Sequence, residues 1–303
     1  MTTILDTTKL TDIFIQCDDF CKILNAYQIE NNLTMEKEET LMSESEMMSV
    51  VIFYHLSGMK CFKYYYQQCI QKHLSSYFPD TYSYNRFVHL MQKLNFPLFA
   101  FLSAHRLATT TQANYIDATK LVVCHNKRIF SHRVFNGIAK RGKSSTGWFF
   151  GLKLHAVINQ FGQLVVFKVT SGNVADNNTA LLERLTERLK GFLYGDAGYI
   201  SSIANSLKIR GLNLITKLRE NMKAKDLTPQ QKYYLKHRGL IESVFHLMKV
   251  FCDIDHTRHR SPKNFFINLW AGLIAYSFLD SQPSFPDYRF KCGSDTSNKI
   301  VLI

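Results

Sequence analysis

The spacing of apolar residues along the chain changes near residue 110. Upstream, apolar positions recur at helical intervals. Ser43 and Glu46 form a capping-box pattern ahead of the apolar run MMSVVIFYHLSG, which Gly58 closes. CFKYYYQQCIQKHLSSYF follows and then, past Pro79 and Asp80, SYNRFVHLMQKL. In this last segment Asn85, His89 and Gln92 share one helical face, Phe87, Val88 and Met91 supply an apolar side, and Arg86 and Lys93 add charge. Such a helix fits two readings: the recognition helix of a helix-turn-helix, or the solvated face of a bundle.

From residue 113 the pattern turns to strands: NYIDATKLVVC, GWFFGLKLHAVIN and LVVFKVTS, with a turn at Gly162 and Gln163 between the last two. A helix over 177–190, a strand in FLYGD, a helix over 201–209, a strand in NLITK and one long helix over 229–251 complete the pattern. Three strands followed by alternating helices and strands predict an α/β fold, a mixed sheet flanked by helices, and a ribonuclease H-like layout satisfies that order. The expected organisation is an all-helical N-terminal domain over 1–108, a catalytic domain over 109–281 and an irregular tail over 282–303.

Charge narrows the partners. The 303 residues include 37 Lys and Arg against 24 Asp and Glu, a formal charge of +13, which favours a polyanion: nucleic acid or an acidic membrane surface. The longest apolar stretch, Phe265 to Leu279, carries Asn268 and falls short of the roughly 20 residues a membrane span needs, so it reads as a buried helix. The first residues lack a secretory pattern, and seven cysteines without regular spacing fit a reducing cytoplasm. Cys17 and Cys21 are one helical turn apart, with Cys61 and Cys69 beyond, but free buried thiols explain them better than zinc.

Candidate chemistry rests on three acids. Asp117 lies inside the first strand, between apolar neighbours that make its charge costly unless something binds it. Asp196 ends a later strand, where sheets commonly carry ligand sites. Arg238, Glu242 and Lys249 stand at i, i+4 and i+11, within roughly 60° on one helical face, so a carboxylate is flanked by two cations suited to phosphates. A surface ion pair between Arg238 and Glu242 is the plainer reading. Three such acids can hold two Mg²⁺ ions about 4 Å apart, the arrangement that activates an oxygen nucleophile against a phosphodiester and stabilises the leaving oxygen.

YIDATKL, FLYGDAGYIS and RGLIESVFHLMK resemble the three acidic motifs of DDE-class transposases encoded by bacterial insertion sequences. The third motif of that class runs Tyr-x2-Arg-x3-Glu-x6-Lys. Arg238, Glu242 and Lys249 match its spacing, whereas position 235 is Leu and Tyr234 comes one residue early. SGMKCFKYYY, SYNRFVHLMQKL, KRGKSSTGWFFGLKLH and RHRSPKNFFINLWAGLIAYSFL extend the likeness to the insertion sequence 982 family, over roughly residues 10–280. The resemblance implies cleavage exposing a 3′-hydroxyl at each element end and attack of that hydroxyl on target DNA. Asp117, Asp196 and Glu242 would then be the catalytic residues and ligands of Mg²⁺ or Mn²⁺, in an oligomer on two DNA ends in the bacterial cytoplasm, with the nucleoid.

Basic residues distribute along the expected DNA path. Lys127, Arg128, Arg133, Lys140, Arg141 and Lys143, with interspersed glycines, suit a mobile loop on a phosphate backbone, and Lys217, Arg219, Lys223 and Lys225 form a second run. Arg238, Lys249, Asn85, Arg86, Arg141, Lys143 and Lys217 are the candidate DNA contacts. Asp253, Asp255, His256 and His259, like Cys124, His125 and His132, mimic transition-metal sets, but a loop near DNA reads better for the first and no fourth ligand accompanies the second. His155 is either close to the acids or a paired core histidine. Two rivals remain: a transposase-derived DNA-binding regulator, and a ribonuclease H-like nuclease that does not join strands.

Overall fold

The computed structural model describes residues 6–33, 40–144, 147–199, 203–217, 226–255 and 259–287. Helix α1 (Thr7–Glu30) opens on Asp6, whose side chain accepts from the Lys9 backbone N–H, and buries Leu10, Ile13, Cys17, Phe20 and Cys21 at i, i+3, i+4 spacing against α2 (Glu44–Tyr54). The capping box read at Ser43 and Glu46 closes both ways at the start of α2. Gly58 takes the left-handed conformation just beyond that helix, at φ 71°.

The third helical segment departs from regular spacing. Helix α3 (Phe62–Tyr64) widens at once into a π-helical stretch, Tyr65–His73. The wider turn seats Tyr65 and Tyr66 in the core, where their hydroxyls donate to the backbone oxygens of Val50 (2.9 Å) and Tyr82 (2.8 Å). SYNRFVHLMQKL likewise forms α4 (Tyr84–Leu90), capped by Ser83, and then tightens to a 3₁₀ turn before α5 (Asn95–His105).

The mixed sheet comprises β1 (Asn114–Cys124), β2 (Lys140–Ser144), β3 (Gly147–Asn159), β4 (Leu164–Ser171), β5 (Gly191–Gly195) and β6 (Leu212–Thr216). β3 lies antiparallel between β1 on one edge and, end to end on the other, β2 and β4. β5 and β6 add parallel to β1. The basic segment expected to be a loop thus contains strand β2, and only its junction with β3, residues 145–146, lies outside the described residues.

Side chains alternate between the two faces of the sheet, as strand geometry requires. Ile116, Val157 and Leu193 point to α6 (Thr179–Leu185) and α7 (Ala204–Ile209), where Leu182, Leu185 and Leu207 close one core. Their neighbours Tyr115, Ala156, Ile158 and Tyr194 belong to a second, larger core, which α8 (Pro229–Lys236), α9 (Leu240–Val250), α10 (Pro262–Ser277) and the N-terminal helices share. α10, the expected buried helix, touches α2, α5 and α9, and Trp270 donates to Asn95 at 3.1 Å. No helix among the described residues is long and apolar enough to cross a membrane.

The long helix expected over 229–251 is two helices. α8 is capped by Thr228 and Gln231, a 3₁₀ turn at His237–Gly239 interrupts it, and α9 restarts at Leu240. Gly239, with its high helical entropy cost, sits at the break.

Candidate active site

Strand register brings the first two acids together. In the parallel pair β1 and β5, Tyr115 stands opposite Tyr194. Asp117 and Asp196 are each two residues further on, at the same level of neighbouring chain segments whose spacing in a sheet is about 4.8 Å. Asp196 has just left β5. Its Oδ1 accepts the Gly198 N–H at 2.7 Å, and a Cβ at Gly198 would stand 2.9 Å from that oxygen, so a larger residue there would displace the Asp196 carboxylate. Asp117 accepts from the Ala118 N–H at 2.8 Å.

Electrostatics place the third acid in the same field. The Asp117 carboxyl is pushed up to about 7, first by burial and then by the negative charges of Asp196, Asp176 and Glu242, against the pull of the Ala118 hydrogen bond. Glu242 projects from the first turn of α9, which lies on β1, and its side chain is 64% exposed with Arg238 Nη1 3.8 Å away. The carboxylate is therefore open to solvent, with one cation beside it.

Asp176, Lys153 and Tyr199 were not singled out from the sequence, whereas His155 was. Asp176, past the end of β4, supplies a fourth carboxylate near Asp117. Lys153 Nζ binds it at 2.9 Å and the Val174 oxygen at 3.0 Å. His155, two residues along β3 from Lys153, is buried, meets Thr170 Oγ1 at 2.9 Å through Nε2, and leaves Nδ1 without a hydrogen bond 3.8 Å from Asp176. Burial lowers its pKa to about 4, so the ring is neutral at physiological pH. His155 is thus both a partnered core histidine and a neighbour of the acidic cluster. Tyr199, in the DAGY segment, is buried with a hydroxyl that lacks a hydrogen-bond partner, and the charges of Asp117, Asp176 and Asp196 all raise its pKa, after burial. The alternation of Lys153 and His155 on one strand was the legible signal; the loop that delivers Asp176 to them was not.

The candidate DNA contacts divide by position. The β5–β6 register pairs Gly195 with Thr216, which sets exposed Lys217 level with Asp196 one strand away. Arg141 and Lys143 are exposed on β2, with their cationic groups 4.8 Å and 5.8 Å from the Trp148 ring centroid. Asn85 and Arg86 are exposed on α4, as is His89. Lys249 is more enclosed: its ammonium donates to the Lys120 oxygen at 2.7 Å and lies 3.4 Å from Asp255, whose other oxygen accepts from Val122 N–H. Tyr234 is a core pillar, buried beside Tyr194 and bonded to Gln112. Arg219, Lys223, Lys225 and His256 lie outside the described residues. Asp253 pairs with Lys60 at 3.5 Å, and Cys124, His125 and His132 line a cavity.

Among the described residues no three His, Cys, Asp or Glu side chains are drawn together closely enough to hold an ion. Burial first, and then the charges of the neighbouring carboxylates, disfavour the ionised form of Asp117. A hard divalent cation suits such a set, since carboxylate oxygens are its preferred donors and its charge would relieve the same repulsion.

The register of two neighbouring parallel strands, and the helix packed on β1, thus bring the three acids nominated from the sequence into one electrostatic neighbourhood. Residues 107–262, which include all three acids, match the family model of the transposase DDE domain, over more than half of the chain. The protein belongs to that family. Comparison with curated proteins and with solved structures yields no match.

Proposed function

We propose that the protein is a DNA transposase that cleaves at the ends of an insertion sequence and joins the exposed 3′-hydroxyl to target DNA, with Asp117, Asp196 and Glu242 as its catalytic residues. The observation that carries this reading is the β1–β5 register, which sets Asp117 and Asp196 side by side within the field of Glu242. The strand order, with β3 antiparallel and β5 and β6 parallel to β1, supports a ribonuclease H-like core, and the resemblance of the whole chain supports the insertion sequence 982 family.

Two Mg²⁺ or Mn²⁺ ions bound by the three acids would supply Lewis-acid stabilisation of the attacking and leaving oxygens. The chain's own groups prepare the site for a polyanion. Lys217 and Arg238 flank the acids with positive charge at the level of a scissile phosphate. Lys153 pairs with Asp176 at 2.9 Å and places a cation beside the acidic cluster. Arg141 and Lys143 on β2, and Asn85 and Arg86 on α4, are exposed for flanking DNA. We assign Lys249 to holding α9 on β1, since its ammonium is already occupied by Lys120 and Asp255. Residues 1–108 act as the DNA-binding part, and pairing of two ends calls for a homo-oligomer in the cytoplasm, at the nucleoid.

The test incubates the purified chain with labelled element-end DNA and Mg²⁺, beside Asp117→Ala, Asp196→Ala and Glu242→Ala. Loss of nicking and joining in all three, with DNA binding kept, is expected. Binding without cutting by the unmodified protein under either ion would leave the DNA-binding regulator as the better reading, and nicking without joining would leave the nuclease.

A further inference from the structure

Some distance from the acids, a cavity of about 750 Å³ opens between the N-terminal helices and the start of α10. Its walls are of two kinds. Phe62 and Tyr84 present aromatic surface, their ring centroids 6.4 Å apart, while Lys60, Lys63 and Arg260 place cations around them. Lys63 Nζ stands 5.8 Å from the Tyr84 ring centroid. Arg260 is exposed, and its charge reaches the Tyr84 hydroxyl. No carboxylate lines the cavity among the described residues. Among its lining residues, Asn264 has a buried Oδ1 without a hydrogen-bond partner, which a ligand donor would satisfy.

We propose that this cavity binds an unpaired nucleotide of a DNA strand, its base against Tyr84 and Phe62, its phosphate between Lys63 and Arg260, and a base N–H on Asn264. The inference rests on DNA being the partner. Aromatic walls recognise any base through its π-face, cations recognise the phosphate, and an amide oxygen reads a base edge. A second cavity of about 530 Å³ adjoins the first by sharing His259 and Arg260, and adds Arg128. Two chambers bridged by one arginine fit consecutive nucleotides of a strand better than a lone mononucleotide.

The position relates the cavity to the acids. Lys60 Nζ bonds the oxygen of Val250 at 2.8 Å, at the end of α9, whereas Glu242 lies in its first turn. Eight residues of helix span about 12 Å. At the axial rise of about 3.4 Å in duplex DNA, that length of helix corresponds to three or four base pairs. An unpaired base held there would anchor a strand opened near its end.

The test measures binding of the full chain, without divalent ions, to dT12, to a 12-mer of identical charge built from abasic units, to a DNA duplex and to free dTMP. The unmodified protein is expected to bind dT12 at least about fivefold more tightly than the abasic strand, from stacking of one base. Tyr84→Leu should bring that ratio close to one with its duplex affinity kept. Lys63→Ala, an exposed change that leaves the core intact, should weaken both strands and lower the salt slope by about one. A ratio of one in the unmodified protein, or a ratio unchanged in Tyr84→Leu of unaltered melting temperature, overturns the proposal. Displacement of dT12 by equimolar dTMP overturns its strand assignment and points to a soluble nucleotide. Duplex binding with no base preference would sink this inference alone; dTMP binding lost in Tyr84→Leu, with no DNA bound in any form, would support the pocket and sink the DNA reading of the function.

Discussion

Lys249 offers a direct separation of a structural cation from a DNA-binding one. Its spacing from Glu242 nominates it for phosphate contact, yet its ammonium lies 3.4 Å from Asp255 and donates to the Lys120 oxygen at 2.7 Å. Lys249→Met keeps most of the stem's packing and removes the charge, leaving Asp255 with only the Val122 N–H. Breaking a fully buried pair by removing one partner costs about 3–5 kcal/mol. The side chains here are 19% and 31% exposed, so solvent recovers part of that cost. A loss of about 2 kcal/mol remains, which lowers the melting temperature by about 3 °C in a chain of this size. Because α9 carries Glu242 and Lys249 ties α9 to β1, cleavage should fall further than DNA affinity does. Asp255→Asn in the same chain should restore much of the stability, since the orphaned charge is then gone. Thermal melting and fluorescence anisotropy with duplex DNA read the two effects separately. An unchanged melting temperature together with tenfold weaker DNA binding, and a salt slope reduced by about one, would refute the assignment and make Lys249 a phosphate contact.

Two other outcomes follow from the geometry. Asp117 has a folded pKa near 7 against an ordinary value of 3.8, so in metal-free protein the folded state holds a proton that the unfolded state has lost between those values, and stability falls as pH rises through that window. Asp117→Asn should remove this slope and be more stable than the unmodified chain at pH 8 by about 2 kcal/mol, as read by urea unfolding across pH; equal slopes in both proteins would contradict the burial and crowding of Asp117. At Gly151 an added Cβ would stand 2.1 Å from the Leu121 oxygen on the neighbouring strand, so Gly151→Ala should force β1 from β3 and lower the melting temperature by more than about 5 °C, whereas a neutral result would show that the strands part without cost.

Local pattern carried much of the fold. The capping box at Ser43, the strand residues around Asp117 and Asp196, and the burial of Phe265–Leu279 are readable because caps, alternation and apolar runs act within a few residues. The π-helical widening at Tyr65–His73 was not legible, since it serves packing against a distant element, Tyr65 reaching Val50, whereas Gly239 was a local signal for the break at His237–Gly239 that the apolar pattern outweighed. β2 read as a loop because its exposed lysines and arginine hide the pairing partner, Trp148 to Gly151, that makes it a strand.

The acids divide in the same way. The sequence by itself determined which carboxylates stand at strand ends and helix faces, and that the chain is basic enough to seek a polyanion. Only the tertiary structure decided that β5 lies beside β1, that the loop after β4 returns Asp176 to Lys153, and that Lys249 turns toward Asp255. Helical spacing specifies an angle about an axis but neither the depth of a side chain nor its partner, and strand alternation specifies a face but not the neighbour. Those depend on contacts between residues far apart in the chain, which form only when the whole core closes.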